Sequence, residues 1–287
     1  MAEAAFENPL IPNARLRQIY LAMMRARALA RTLKPPPSTL GLEACLVSTS
    51  ADLGPGDLVS DALTGGVVDF LRGANLSSVL RPNMISRRGT DRGVARLPAA
   101  PVEQRIWAAL GAAAAVKAET ARARAEAKTS GKTAQPAGVV LVYAQSGEMR
   151  TALWRTALTF AAKHELPAVF VALPAARGNT AQAAKPGAVS ALALGSGVPG
   201  IAVDMDDAVA IYRVAQESIG RARAGGGPAL IDCIPFLIAG QKRTAPADAV
   251  AGLERYMLHR GVCTQAWLDR EAKSFVSRVA KQKVVSK

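Results

Sequence analysis

Val139-Val140-Leu141-Val142-Tyr143, a helical stretch over 148–163, and Ala168-Val169-Phe170-Val171-Ala172-Leu173 after Pro167 together decide the fold. Continuous apolar runs of this length read as strands buried on both faces. A helix between them makes a β-α-β unit, which places the two strands parallel and adjacent. Toward the C-terminus, 201–203 reads as another short strand. Asp206 and Asp207 open a helix to about Ala224, with Ala208, Tyr212, Ala215 and Ile219 on one face. Arg221 and Arg223 suit its C-terminal dipole, and Gly225-Gly226-Gly227-Pro228 ends it. Leu230 to Ile234 is a third buried strand, and helices over about 248–259 and 264–282 follow. The chain closes in a basic segment, 276–287, expected to fray from Lys281 onward.

The N-terminal half is less regular. Leu16, Ile19, Tyr20, Met23, Met24 and Arg27 keep helical spacing within 13–33, with Asn13 as a cap and Pro35-Pro36-Pro37 as a stop. A second helix, Thr39 to Leu53, ends at Gly54-Pro55-Gly56, and Asp57 to Ser60 reads as a short strand. Residues 67–80 read as helical. Residues 81–100 gather Arg81, Arg87, Arg88, Arg92 and Arg96 among Pro, Gly and Asn, which reads as a loop. A solvated basic loop accounts for it, and an anion or partner site is the alternative. A long Ala-rich helix over 101–128 follows, with an exposed charged half from Lys117 to Lys128, then a linker over 129–138. The sum is a single α/β domain, 1–287: a mostly parallel sheet with helices on both faces.

Half of the 287 residues are hydrophobic, so a packed core is accessible and global disorder is excluded. The net charge of +14 points toward an acidic partner or nucleic acid. The charge is spread over four regions and is not interleaved with aromatics, which counts against a nucleic-acid groove. Two histidines, His164 and His259, exclude a His-cluster metal site. Cys45, Cys233 and Cys263 are far apart with no Cys-x-x-Cys, so reduced thiols in a cytoplasm are expected. The first ten residues lack a signal core, and no apolar run reaches the ~18–20 residues of a membrane helix.

In an open parallel sheet, ligands sit beyond the carboxyl ends of the strands. The candidates here are Gln145-Ser146-Gly147 and the segment from Pro174 through Arg177 to Asn179. Gln145, Ser146 and Gly147 lead toward a helix whose backbone amides can receive an anion. Neither a P-loop nor a Gly-x-Gly-x-x-Gly fingerprint is present there. Ser146 lacks the nucleophile elbow of the hydrolases. His164 and His259 read as helix-end residues. Glu43, Asp61 and Asp69 are the acids of the first half expected near a cleft, with no diagnostic spacing.

Several stretches carry a family resemblance. They are Val198-Pro199-Gly200-Ile201-Ala202-Val203-Asp204, the helix from Met205 with Arg221-Ala222-Arg223, and Gly227-Pro228-Ala229-Leu230-Ile231-Asp232. Leu253-Glu254-Arg255-Tyr256-Met257-Leu258 with Arg260-Gly261 and Ala266-Trp267-Leu268 adds to them, as do Gly41-Leu42-Glu43-Ala44 and Gly56-Asp57. Over about 13–80 and 101–275 the chain resembles the alpha subunit of the thiamine-diphosphate-dependent 2-oxo acid dehydrogenases. The resemblance implies a transketolase-like fold, thiamine diphosphate with magnesium as cofactors, and a beta-type partner subunit or a homo-oligomer.

The departures from the family pattern fall on the cofactor site. The family's Gly-Asp-Gly turn reads Gln145-Ser146-Gly147, so Ser146 stands where the metal-binding Asp is expected. The Asn-Asn pair falls on Pro174 and Ala175, and the Tyr-Arg that reaches the diphosphate falls on Leu63 and Thr64. The late Arg-Gly-His-Ser falls on Ala239-Gly240-Gln241-Lys242. A further His-bearing segment is replaced by the Arg-rich residues 81–100.

Magnesium wants hard oxygen ligands, usually with at least one carboxylate. Losing a buried charged partner costs roughly 3–5 kcal/mol, about two to three decades of affinity. The sequence therefore predicts a divergent alpha-type chain that keeps the fold with its catalysis impaired or lost. An active subunit with substituted ligands, such as Gln145, Arg177, Lys242 or Arg243, and a basic binding module are the alternatives.

Overall fold

The computed structural model describes residues 11–31, 40–61, 95–98, 100–131, 133, 137–174, 185–236 and 248–284. The decisive segment folds as expected. Strand β3 (Val140–Gln145), helix α4 (Thr151–Lys163) and strand β4 (Ala168–Leu173) form a β-α-β unit with six parallel register pairs, Val140 opposite Ala168 through Gln145 opposite Leu173. Around it stand β1 (Leu58–Ser60), β2 (Ala95–Arg96), β5 (Gly200–Asp204) and β6 (Ala229–Ile234). All neighbours are parallel, in the order β2-β1-β3-β4-β6-β5.

Alternation along the strands divides the core into two layers. Val139, Leu141, Tyr143, Val169, Val171 and Ile231 pack on one face. There they meet α1 (Asn13–Ala30), α2 (Glu43–Ser50), α6 (Ala208–Arg223), α7 (Ala249–His259) and α8 (Gln265–Val284). Val140, Val142, Phe170, Ala172 and Leu230 pack on the other, against α3 (Val102–Ser130), α4 and α5 (Ala188–Gly195). Burial on both faces explains why the strand sequences are continuous apolar runs.

Several local expectations are corrected. Helix α1 begins at Asn13 behind Pro12, so Asn13 lies buried in the first turn rather than capping from outside. Proline at this boundary costs no hydrogen bond, because its missing N–H would have had no helical partner. Helix α2 spans only Glu43–Ser50. The Arg-rich stretch 81–100 is not wholly a loop: Ala95–Arg96 pairs with Leu58 and Val59 as the sheet edge. The 129–138 linker is shortened, since α3 runs to Ser130 and closes on Gly131 at φ 65°. The last helix, expected over 264–282, is observed as Gln265–Val284, with Phe275 and Val279 buried against the core. Helix α5, Ala-Val-Ser-Ala-Leu-Ala-Leu-Gly, lacks the polar stripe that marks a surface helix and has no counterpart in the periodic pattern. The expectations for Pro35-Pro36-Pro37, 67–80, Leu63, Thr64, Asp69, Arg177 and 239–243 lie outside the described residues.

Two buried carboxylates organise the scaffold. Asp57 is 2% exposed. It accepts the Gly54 N–H at 2.7 Å and the Val139 N–H at 2.9 Å, and Arg223 of α6 donates to it at 2.5 Å. The backbone at Gly138 comes close enough to this turn that a Cβ there would lie 2.5 Å from the Gly56 carbonyl oxygen. Asp232 of β6 is 1% exposed and accepts the Ser190 N–H of α5 at 3.0 Å. Burial raises its pKa, and the hydrogen bonds from Ser190 and Val189 only partly oppose that. The described thiols are free, with Cys45 and Cys233 buried.

Two outcomes follow. Asp57→Ala leaves Arg223 and two N–H groups facing a void, and should lower unfolding free energy by about 3–5 kcal/mol in urea titration. The raised carboxyl of Asp232 binds its proton more tightly in the folded chain than in the unfolded one. Its contribution is therefore greatest below the ordinary carboxylate range and is lost as pH rises through the folded value. Asp232→Asn should accordingly gain stability relative to the parent as pH is raised from about 4 to 7, read from paired melting curves.

Candidate functional site

From β1 the chain moves to β2 on one side, then through α3 to β3 on the other. The strand order reverses between β1 and β3, and the carboxyl ends there are the expected ligand edge. Asp61 follows β1, and Gln145, Ser146 and Gly147 close β3; the two strands pair through Ser60 and Val142.

The turn is held from within the chain. Ser146 donates its N–H to the Leu173 carbonyl at 2.8 Å, tying the turn to the end of β4. Glu148 closes it: the Gln145 N–H donates to Glu148 Oε2 at 3.2 Å, and the Glu148 N–H donates to the Gln145 carbonyl at 3.0 Å. The other carboxylate oxygen, Oε1, accepts from Arg105 at 3.0 Å. Arg105 comes from the first turns of α3, is 1% exposed, and also donates to the Tyr143 carbonyl of β3. Gln145, Ser146 and Gly147 are half-buried.

Both oxygens of the nearest carboxylate are thus engaged by donors of this chain. Ser146 offers a neutral hydroxyl, and the described Pro174 offers no side-chain ligand. This donor set does not fit a magnesium diphosphate, which needs anionic oxygens on the metal and donors on the phosphates. Among the described residues no group of three His, Cys, Asp or Glu is placed to hold a metal ion.

The other sequence candidates are dispersed. Asp61 is 1% exposed and pairs with Arg96 of β2 at 3.0 Å. Glu43 is buried at the start of α2 and pairs with Arg27, which also reaches Asp248 at the head of α7. His164 caps α4 and His259 ends α7, both at helix ends. A cavity of about 520 Å³ lies between α1 and α2, lined by Arg15, Gln18, Arg25 and Ser50 among others, none of them from the β3 turn. Arg105 and Glu148 were missed by sequence reasoning. The signal was an arginine at position 105 on the same helical stripe as Ala109 and Ala113, with an acid three residues beyond a buried strand.

The all-parallel sheet and its two helical layers form an α/β fold of the kind that thiamine-diphosphate proteins share. Residues 36–248 match the model of the dehydrogenase E1 component, and the chain belongs to that family. It is 27% identical over 237 residues to the alpha subunit of acetoin:2,6-dichlorophenolindophenol oxidoreductase of Bacillus subtilis, covering 76% of this chain and 70% of that relative. It is 36% identical over 121 residues to the 3-methyl-2-oxobutanoate dehydrogenase alpha subunit of Mycobacterium tuberculosis, covering 39% of this chain and 30% of that one. With the pyruvate dehydrogenase E1 alpha subunit of Staphylococcus aureus the identity is 33% over 134 residues, 42% of this chain and 35% of the relative. The two dehydrogenase matches thus span about a third of their relatives.

Removing Glu148 leaves Arg105 buried beside an open turn. Glu148→Ala should cost about 1.5–3 kcal/mol, the range for hydrogen bonds to charged groups, measured by chemical unfolding.

Proposed function

We propose that this chain is an alpha-type subunit of a 2-oxo acid dehydrogenase first component that has kept the fold and lost the cofactor chemistry. On this reading 1–287 forms one domain that associates with a beta-type chain in the cytoplasm as a structural subunit. Nucleic acid is not its ligand. Among the described residues no helix is long and apolar enough to cross a membrane. Family membership supports the subunit type.

The observation that carries the loss of chemistry is the β3 turn. Gln145, Ser146 and Gly147 stand at the family's cofactor positions, and the turn is closed by Glu148 and Arg105. A diphosphate arriving at Gln145 would have to displace a carboxylate held by a buried arginine. It would gain no anionic metal ligand from Ser146 in return. Like charges at such a site raise the cost further.

The test is turnover. The chain is co-purified with its beta-type partner and supplied with magnesium, thiamine diphosphate and a series of 2-oxo acids, including pyruvate and branched-chain acids. We expect no decarboxylation above background from a folded heteromer. Turnover that disappears on Arg105→Met or Glu148→Ala, with the heteromer intact, would show instead an active subunit with substituted ligands.

A further inference from the structure

The cavity between α1 and α2 lies apart from the β3 turn and holds charge that its surroundings leave unmatched. Arg15, Gln18, Ala22 and Arg25 line it from α1, and Val47 and Ala51 from the α2 side. The four α1 positions are three or four residues apart in turn, so they form one helical stripe. The stripe rises about 15 Å from Arg15 to Arg25, at 1.5 Å per residue. Small side chains at Ala22 and Ala51 leave room between the two arginines. A volume of about 520 Å³ is that of a small-molecule site.

The two arginines differ. Arg15 meets Asp52 at 2.8 Å and donates to Gln18 Oε1 at 3.0 Å, so its charge is matched. Among the described residues the carboxylate nearest Arg25 is Glu271, at 3.7 Å, beyond hydrogen-bond distance. The Arg25 Nε is buried and has no hydrogen-bond partner among those residues. A buried donor left without an acceptor is costly. Arg278 is a second cation beside it: the Arg25 and Arg278 guanidiniums lie 5.9 and 5.6 Å from the Phe275 ring centroid. Burial, and then the Arg278 charge, lower the Arg25 pKa, and Glu271 only partly opposes them. Two cations against one distant carboxylate leave this end of the trough net positive.

We propose that the cavity binds an amphipathic monocarboxylate, its carboxylate on Arg25 and its apolar chain along Ala22, Val47 and Ala51. The planar guanidinium fork offers a carboxylate two parallel hydrogen bonds, one of them from Nε. An acceptor there satisfies the orphaned donor and the surplus charge together. A second anionic group finds no counterpart, because Asp52 already neutralises Arg15. None of these residues belongs to the β3 turn, so the site does not depend on the reading of the cofactor edge.

The test is calorimetric titration of the full chain with acetate, hexanoate and decanoate, below the micelle-forming range. Inorganic phosphate and decyl phosphate are titrated in parallel. We expect saturable one-to-one binding of decanoate. Each methylene buried in the trough should tighten binding about fourfold, so acetate shows no saturation. Arg25→Met keeps an apolar stem beside Phe275 and should weaken decanoate at least tenfold. Ala22→Leu fills the trough without changing charge and should weaken it as much. Circular dichroism melts confirm that the variants fold. Arg270→Met, at an exposed position of α8, should leave binding unchanged. Absence of saturable decanoate binding would overturn the proposal. So would binding indifferent to Arg25→Met or Ala22→Leu, or weakened equally by Arg270→Met, since each marks adsorption of an anionic chain to a basic surface. Saturable inorganic phosphate, with decyl phosphate at least tenfold tighter than decanoate, would overturn the carboxylate in favour of a phosphate ligand.

Discussion

The carboxylate of Asp57 joins three separate parts of the chain at one point. It gathers the turn at Gly54, the start of β3 at Val139 and the end of α6 at Arg223. A buried anion with two backbone donors and a guanidinium is costly to desolvate and costly to disturb. It fixes β1 beside β3 at their amino ends. The carboxyl ends of the same two strands are then held side by side, where the strand order reverses. The location of the ligand edge is therefore set by an interaction at the opposite edge of the sheet.

At that ligand edge the chain uses its polar groups on itself. Arg105 lies at an inward position of α3 and satisfies both the Tyr143 carbonyl and Glu148. Glu148 in turn satisfies Gln145. A neighbouring ion pair, Asp61 with Arg96, ties β1 to β2. Among the described residues, Arg105 and Arg96 at this edge each pair with a carboxylate of the same chain. Basic residues are abundant in this protein, yet at these two points their charge is matched locally. The net charge of +14 therefore does not by itself supply an anion site at the strand ends described here.

The fold was legible because burial on both sheet faces leaves a simple mark. Val139 to Tyr143 and Ala168 to Leu173 are apolar without alternation, and the helix between them fixes their direction. What stayed hidden has physical reasons. The two-residue strand Ala95–Arg96 is too short to carry a period and is defined only by its pairing with β1. Helix α5 is built from small apolar residues and is placed by Asp232, far away in sequence. At the site, Ser146 stands where a carboxylate is expected only through the family resemblance, not through anything in its local sequence. The Arg105–Glu148 closure was not legible, because it joins two segments through tertiary packing alone.

The central claim is that the β3 turn is closed by Glu148 and Arg105 and does not accept the family's cofactor. Its most direct measurement is calorimetric titration of the folded chain, alone and in its heteromer, with magnesium and thiamine diphosphate. The account predicts no saturable heat attributable to this chain up to high micromolar cofactor. Saturable micromolar binding that is lost on Ser146→Ala or Arg105→Met in a folded chain would contradict it.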